Sequence, residues 1–251
     1  MTAVSTAAVK ISTAVRAITE FFWRRFEDRL LFCLFSLKSI VLYAILILLS
    51  CSERGNIPVN PYRDEFLALF SEKVTRDGAQ KLLAWLDTTD FFTAPASTKY
   101  HCACEHGLVM HSLNVYKTLY DHFFEEGDSE ESYVICGLLH DICKAQYYKI
   151  STRNVKNEET GQWEKKPFYS VEDAFPYGHG EKSVYLIERF MRLKPAEAMA
   201  IRWHMGGFDE ASRGGSFAIS QAYDRYPLAV KLHLADMEAT YLRERGTSEV
   251  R

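Results

Sequence analysis

Apolar residues recur every three or four positions along most of the chain, a spacing that predicts helices. Phe66, Leu69, Phe70 and Val74 form one stripe, and Asp77-Gly78 opens a second helix through Leu82, Leu83 and Leu86. Val109, Leu113, Tyr116, Tyr120 and Phe123 form a third stripe. Residues 132–145 are apolar nearly all round, which predicts a central, buried helix. Residues 181–193 are amphipathic, 195–204 form a helix stopped by Gly206-Gly207, and 227–243 form a long last helix. One stretch departs from this period. Residues 147–155 and 163–171 alternate aromatic or branched with charged side chains around Glu159-Thr160-Gly161, the pattern of a β-hairpin. The predicted fold class is an all-α bundle with a small hairpin inserted at 147–171.

The beginning of the chain is different. Residues 30–51 are nearly all apolar, with Lys38 the only charge. As a helix this segment is roughly 33 Å long, enough to cross a bilayer. Lys38 inside it costs a few kcal/mol unless it snorkels. Lys10, Arg16, Arg24, Arg25 and Arg29 precede it, so the positive-inside rule puts the N-terminus in the cytoplasm and the following domain outside. That orientation conflicts with the cysteines and the chemistry described below. Three readings stay open: a membrane anchor, an over-extended translation start, or a lipoprotein-type signal ending at Cys51. A shorter start needs a non-Met codon, because no Met lies between Met1 and Met110. The expected organisation is a polar lead at 1–29, the hydrophobic segment at 30–51, a linker at 52–62 with Gly55, Pro58 and Pro61, and one compact domain at 63–251.

Composition narrows the function. A chain of 251 residues, 47% hydrophobic, supports one domain with a real core plus an appendage. The formal net charge of −3 gives no global field for nucleic acid or anionic membrane, so a polyanionic substrate must be drawn by local charges or metal. The six cysteines lack the spacing of a secreted disulfide scaffold, and Cys102-Ala103-Cys104 is too tight for a zinc knuckle. Cys136 and Cys143 fall on apolar helix, where buried free thiols are common. These features predict a reducing compartment: a cytoplasmic catalytic domain, tethered to a membrane if 30–51 is an anchor.

The candidate chemistry lies in Leu138-Leu139-His140-Asp141-Ile142-Cys143-Lys144. A buried charge is costly unless it is paired or bound to metal, and this doublet sits in an apolar run. His111, His179, His204 and Asp236 occupy helix ends or apolar faces elsewhere. One histidine on an apolar face is usually a hydrogen-bonded core residue. Six such groups recruited from five helices point to a metal centre. Imidazole with carboxylate suits Zn, Mn, Fe or Ni better than calcium.

The order His111, His140-Asp141, Asp236 resembles the HD-domain metal-dependent phosphohydrolase superfamily over about residues 95–241. The Leu138 to Lys144 run is close to the LLHDIGK form common there, with Cys143 in place of glycine. Lys99-Tyr100-His101-Cys102-Ala103 followed by Gly107-Leu108-Val109-Met110-His111 is similar to the catalytic domain of HD-type 3′-to-5′ exoribonucleases. Those enzymes also carry an N-terminal nucleic-acid-binding barrel, of which this sequence shows no sign. His179 and His204 match the extra histidines of two-metal members, although His204-Met205 stands where the HD-GYP phosphodiesterases have a His-His pair. The Gly-Tyr-Pro motif is absent, which argues against cyclic-di-GMP as substrate.

The resemblance implies a metal-dependent phosphomonoesterase or phosphodiesterase using one or two divalent ions (Mn, Mg, Fe, Zn or Ni). His111, His140, Asp141 and Asp236 would hold the first ion; Asp141 would bridge to a second, completed by His179 and His204. A metal-activated hydroxide would attack phosphorus. Lys144, one turn after His140, would steady the phosphate or protonate the leaving group, unless it is simply solvated. The expected substrate is a phosphorylated small molecule, a nucleotide or a short oligonucleotide. Candidate substrate contacts are His101, His106, Lys149, Lys165 and Lys166, the lysines lying among the hairpin aromatics. Gly206-Gly207 and Gly214-Gly215 bracket a loop expected to be mobile and to cover the site. His233 reads as a core hydrogen-bonding residue and His122 as surface. No protein partner is predictable. A di-iron oxygenase of the same superfamily uses the same ligand positions, and a nucleotide-binding regulatory module without turnover is the non-enzymatic alternative.

Overall fold

The structure, a computed structural model, describes residues 60–247. The lead, the hydrophobic segment at 30–51 and the linker up to residue 59 lie outside the described residues. Among the described residues no helix is long and apolar enough to cross a membrane.

Helix α1 (Pro61–Lys73) begins two residues earlier than the domain boundary drawn from sequence. Asn60 causes this: its side chain accepts from the Tyr62 and Arg63 amides, and Pro61 takes the first helical position. Next come α2 (Ala79–Leu86), α3 (Gly107–Phe123) and α4 (Glu130–Leu139). Strands β1 (Tyr148–Lys156) and β2 (Trp163–Val171) pair antiparallel as the predicted hairpin. Helices α5 (His179–Glu188), α6 (Pro195–Trp203), α7 (Glu210–Arg213), α8 (Ala218–Arg225) and α9 (Pro227–Glu238) complete the bundle. The predicted stripes supply the core, with Phe66, Phe70, Leu82, Leu86, Leu113 and Leu119 all sealed from solvent. Four cysteines among the described residues are free thiols.

Two glycines decide how closely the helices approach. A Cβ on Gly137 of α4 would lie 2.6 Å from the Tyr116 Cα of α3. A Cβ on Gly180 of α5 would lie 2.2 Å from the Arg202 carbonyl oxygen of α6. Backbone therefore touches backbone at both crossings. The first draws His111 and His140 together; the second does the same for His179 and His204.

A buried ionic cluster clamps the other side of the bundle. The Arg76 guanidinium donates to both oxygens of Glu197 on α6, at 2.7 and 2.9 Å, and to Glu131 on α4 at 2.8 Å. Ser132 Oγ and the Lys194 amide complete the Glu197 shell at 2.6 and 2.7 Å.

Three expectations need correction. The helix predicted over 132–145 ends at Leu139, and His140-Asp141 lies at its C-terminal break instead of in its core. Asp141 has left helical geometry (φ −101°, ψ 17°), and a 3₁₀ turn, Ile142–Lys144, follows. The last helix gives way after Glu238 to a π-turn over Ala239–Arg243. The segment read as a loop contains a 3₁₀ turn (Gly206–Phe208) and α7, where Asp209 caps the Ala211 and Ser212 amides and pairs with Arg202 at 2.8 Å.

Candidate metal centre

Four histidines reach the centre with their Nε2 atoms aimed inward. His140 and His204 use one device twice. Each sits one residue past a helix end and donates Nδ1–H to the carbonyl three residues back, Gly137 at 2.9 Å and Ile201 at 2.7 Å. The proton is thereby fixed on Nδ1 and the Nε2 lone pair is free. His111, on the first turns of α3, has its Nδ1 3.0 Å from the Glu244 carboxylate. His179 opens α5 with Nδ1 3.4 Å from the Cys143 thiol.

The donor atoms form overlapping groups, two of which share the Asp141 carboxylate, while His140, His204 and Asp236 make a third. Asp141 Oδ2 lies 3.6 Å from both His111 Nε2 and His140 Nε2. His111 Nε2 is 3.3 Å from His140 Nε2 and 3.3 Å from Asp236 Oδ1. Asp141 Oδ1 faces the other way, 2.8 Å from His179 Nε2 and 3.5 Å from His204 Nε2, which are 3.2 Å apart. Donors held about 2.1 Å from one ion sit about 3.0–3.4 Å from each other, so these spacings suit shared cations. A second observation agrees. Asp141 Oδ1 is buried and makes no hydrogen bond that meets geometric criteria, although His179 Nε2 lies 2.8 Å away. A buried carboxylate oxygen set among imidazole nitrogens fits a cation.

Electrostatics point the same way. Burial opposes charge on His111, but Glu244 and Asp236 outweigh it and lift the imidazole to about 10. Burial opposes charge on His179 too, and Cys143 and Asp141 lift it to about 10. At His140 burial prevails and lowers the imidazole to about 3. Burial opposes ionisation of Asp141, yet Lys144 and the histidines hold it well below the usual carboxylate range; His111 does this for Asp236. Protons on two imidazoles and the Lys144 ammonium, 2.5 Å from Asp141 Oδ2, thus balance a carboxylate-rich interior.

The six residues and Lys144 come together as the sequence order suggests; the candidate substrate contacts separate. His101 lines the central cavity of about 900 Å³, its ring 4.8 Å from that of His111. Both its nitrogens are buried without a hydrogen bond, and burial lowers it to about 4. His106 does not line the cavity: it caps α3 in the left-handed region (φ 65°), with Nδ1 2.7 Å from the Phe92 carbonyl. Lys149, Lys165 and Lys166 lie outside the cavity as well. Lys149 pairs with Glu172. Lys165 and Lys166 are adjacent on β2, so the pleat sends them to opposite faces of the hairpin. His233 donates to the His204 carbonyl at 2.6 Å and lines the cavity; His122 lies on the surface against Glu238.

Sequence reasoning missed Glu244. It is sealed from solvent, accepts from Asn114 Nδ2 at 2.9 Å and holds His111. Between Arg243 and Arg245 it reads as a solvated charge past a helix end, and nothing local marks it.

A family model described as HD domain matches residues 108–240, more than half of the chain. The match spans His111 through Asp236 and stays at the level of the superfamily, with no finer assignment to exoribonucleases. No curated protein and no solved structure matches the chain.

Proposed function

The chain belongs to the HD-domain superfamily of metal-dependent phosphohydrolases, and on that premise we propose that it hydrolyses phosphate esters of nucleotides or short oligonucleotides. His111, His140, Asp141 and Asp236 would hold one divalent ion, and Asp141, His179 and His204 a second. The observation that carries this reading is the Asp141 carboxylate, whose Oδ2 turns to one donor set and Oδ1 to the other. Bound ions would lower the pKa of an attacking water and neutralise the phosphoryl oxygens. The chain's own residues orient and exclude. Gly137 and Ile201 carbonyls fix the His140 and His204 rings, and Glu244 fixes His111. Lys144 lies on the cavity wall beside Asp141, placed to steady a phosphoryl oxygen or to protonate the departing alcohol.

The test strips the full-length protein with a chelator, reloads it with Mn, Mg, Fe, Zn or Ni, and assays phosphomonoesters, dinucleotides and short RNA. Phosphate or nucleotide release that returns with metal supports the reading. Tight iron with O₂ consumption and no phosphoester cleavage would move the assignment to the oxygenases. Nucleotide binding without any turnover would make the domain a regulatory module.

The pH dependence has a defined sign. His111 and His179, lifted to about 10, carry protons at neutral pH and must lose them to take an ion. Metal affinity therefore rises with pH from 7 towards 10, by about tenfold per unit for each displaced proton, and falls on acidification. Calorimetry in buffers of different ionisation enthalpy counts the released protons; an affinity flat across this range contradicts the expectation.

Glu244→Gln keeps an acceptor but removes the charge behind His111. Metal affinity should weaken about 10–100-fold, the usual effect of losing a partner that orients a ligand. Competition with a fluorescent chelator measures it.

A further inference from the structure

A second cavity adjoins the first. It holds about 370 Å³ and is walled by residues that include Tyr147, Asp173, Lys182, Asp209 and Ala211. Lys144, His179, Met205 and Phe208 line both cavities, so the two meet along one edge. That edge contains His179, one of the central donors, and the Lys144 ammonium beside Asp141. Both volumes fall within about 300–1,000 Å³, the range of ligand clefts. A group held at the centre therefore has room for a substituent on each side.

The two sides differ in their exposed cations, although Asp141, Asp236 and Glu244 also line the large cavity, held there by the histidines. Arg213 and Arg245 reach the wall of the large cavity, are exposed, and pair with no carboxylate among the described residues. Arg213 lies over the Phe208 ring at 5.8 Å, and Tyr100 and Tyr241 line the same cavity. Free guanidinium with aromatic faces suits a base-bearing, anionic limb. In the small cavity both lysines are committed, Lys144 to Asp141 at 2.5 Å and Lys182 to Asp173 at 2.6 Å. Asp209 and Glu181 are held by Arg202, and Glu210 adds a further carboxylate. Such a wall offers a second phosphate no uncommitted cation but offers acceptors to hydroxyl groups.

We infer that the substrate is a phosphodiester, with its nucleotidyl limb in the large cavity and a neutral, hydroxylated alcohol limb, such as a nucleoside, in the small one. This rests on the phosphohydrolase reading and deepens it. Water adds to phosphorus, the P–O bond to the small-cavity limb breaks, and one water proton leaves with that alcohol. The other stays with the new phosphomonoester. A monoester substrate uses the large cavity alone.

Ala211 is the place to test this, because it lines only the small cavity and belongs to none of the donor sets. In the full-length protein, Ala211→Trp fills the small cavity and Ala211→Leu does so in part, a graded pair that separates filling from misfolding. Bis(p-nitrophenyl) phosphate and a dinucleotide should be cleaved faster than p-nitrophenyl phosphate and a mononucleotide. The diester-to-monoester ratio should fall at least about tenfold in Ala211→Trp and less in Ala211→Leu. Calorimetric binding of a dinucleoside phosphorothioate should weaken by a similar factor relative to a mononucleotide. A preference for monoesters, or a ratio that neither variant moves, overturns the inference and leaves the phosphohydrolase reading standing. Cleavage of neither class overturns the parent reading; binding then decides the cavity, and phosphorothioate affinity indifferent to Ala211→Trp overturns the inference as well.

Discussion

Asp141→Ala is expected to lower phosphoester hydrolysis by at least about 10²–10³-fold, the scale set by removing one preorganised electrostatic group, and to weaken both ions together. The reason is geometric. The two oxygens of Asp141 face different donor sets, Oδ2 towards His111 and His140 and Oδ1 towards His179 and His204. Asp236→Ala removes the carboxylate 3.3 Å from His111 Nε2, so it should weaken the ion that His111 holds more than the other. Titration of bound metal by elemental analysis separates the two patterns, and circular dichroism checks that the helices persist. Asp141→Ala that keeps full activity, or loses one ion while retaining the other at native affinity, would falsify the bridging role.

Arg76→Ala should destabilise the domain by about 3–5 kcal/mol, because breaking a buried pair leaves an uncompensated charge. The Glu197 side chain is fully buried and the Arg76 side chain 16% exposed, so solvent cannot take over the lost contact. At this size the loss corresponds to a melting temperature lower by roughly 6–20 °C. Arg76→Met with Glu197→Leu should recover part of the loss, since it removes both charges at once. Recovery stays partial because Ser132 Oγ and the Lys194 amide lose their acceptor. Thermal unfolding of the two variants reads this directly; a cost below about 1 kcal/mol for Arg76→Ala would make the cluster no stronger than a surface pair.

The helices were legible because one-sided burial writes a 3.6-residue period into the chain, as at Phe66, Phe70, Val109 and Leu113. The hairpin was legible for the matching reason, a period of two with a turn between the strands. Helix ends were less so. Apolar residues run on past Leu139 to Ile142 and Cys143, so periodicity could not register the break that frees the Asp141 carboxylate. The hairpin lysines show a related limit. Lys165 and Lys166 look like one basic patch in sequence, and the strand register divides them between two faces.

The sequence by itself determined the donor types, their order, and most of the helices around them, because residue chemistry and burial period are local properties. The HD-domain match over residues 108–240 spans all six of those donors. Only the tertiary structure decided which oxygen of Asp141 faces which donor set, that Gly137 and Gly180 allow the ligand-bearing helices to touch, and that Glu244 stands behind His111. The physical reason is distance along the chain. Glu244 lies 133 positions from His111, and a contact of that range is fixed by how helices cross, which no local pattern encodes.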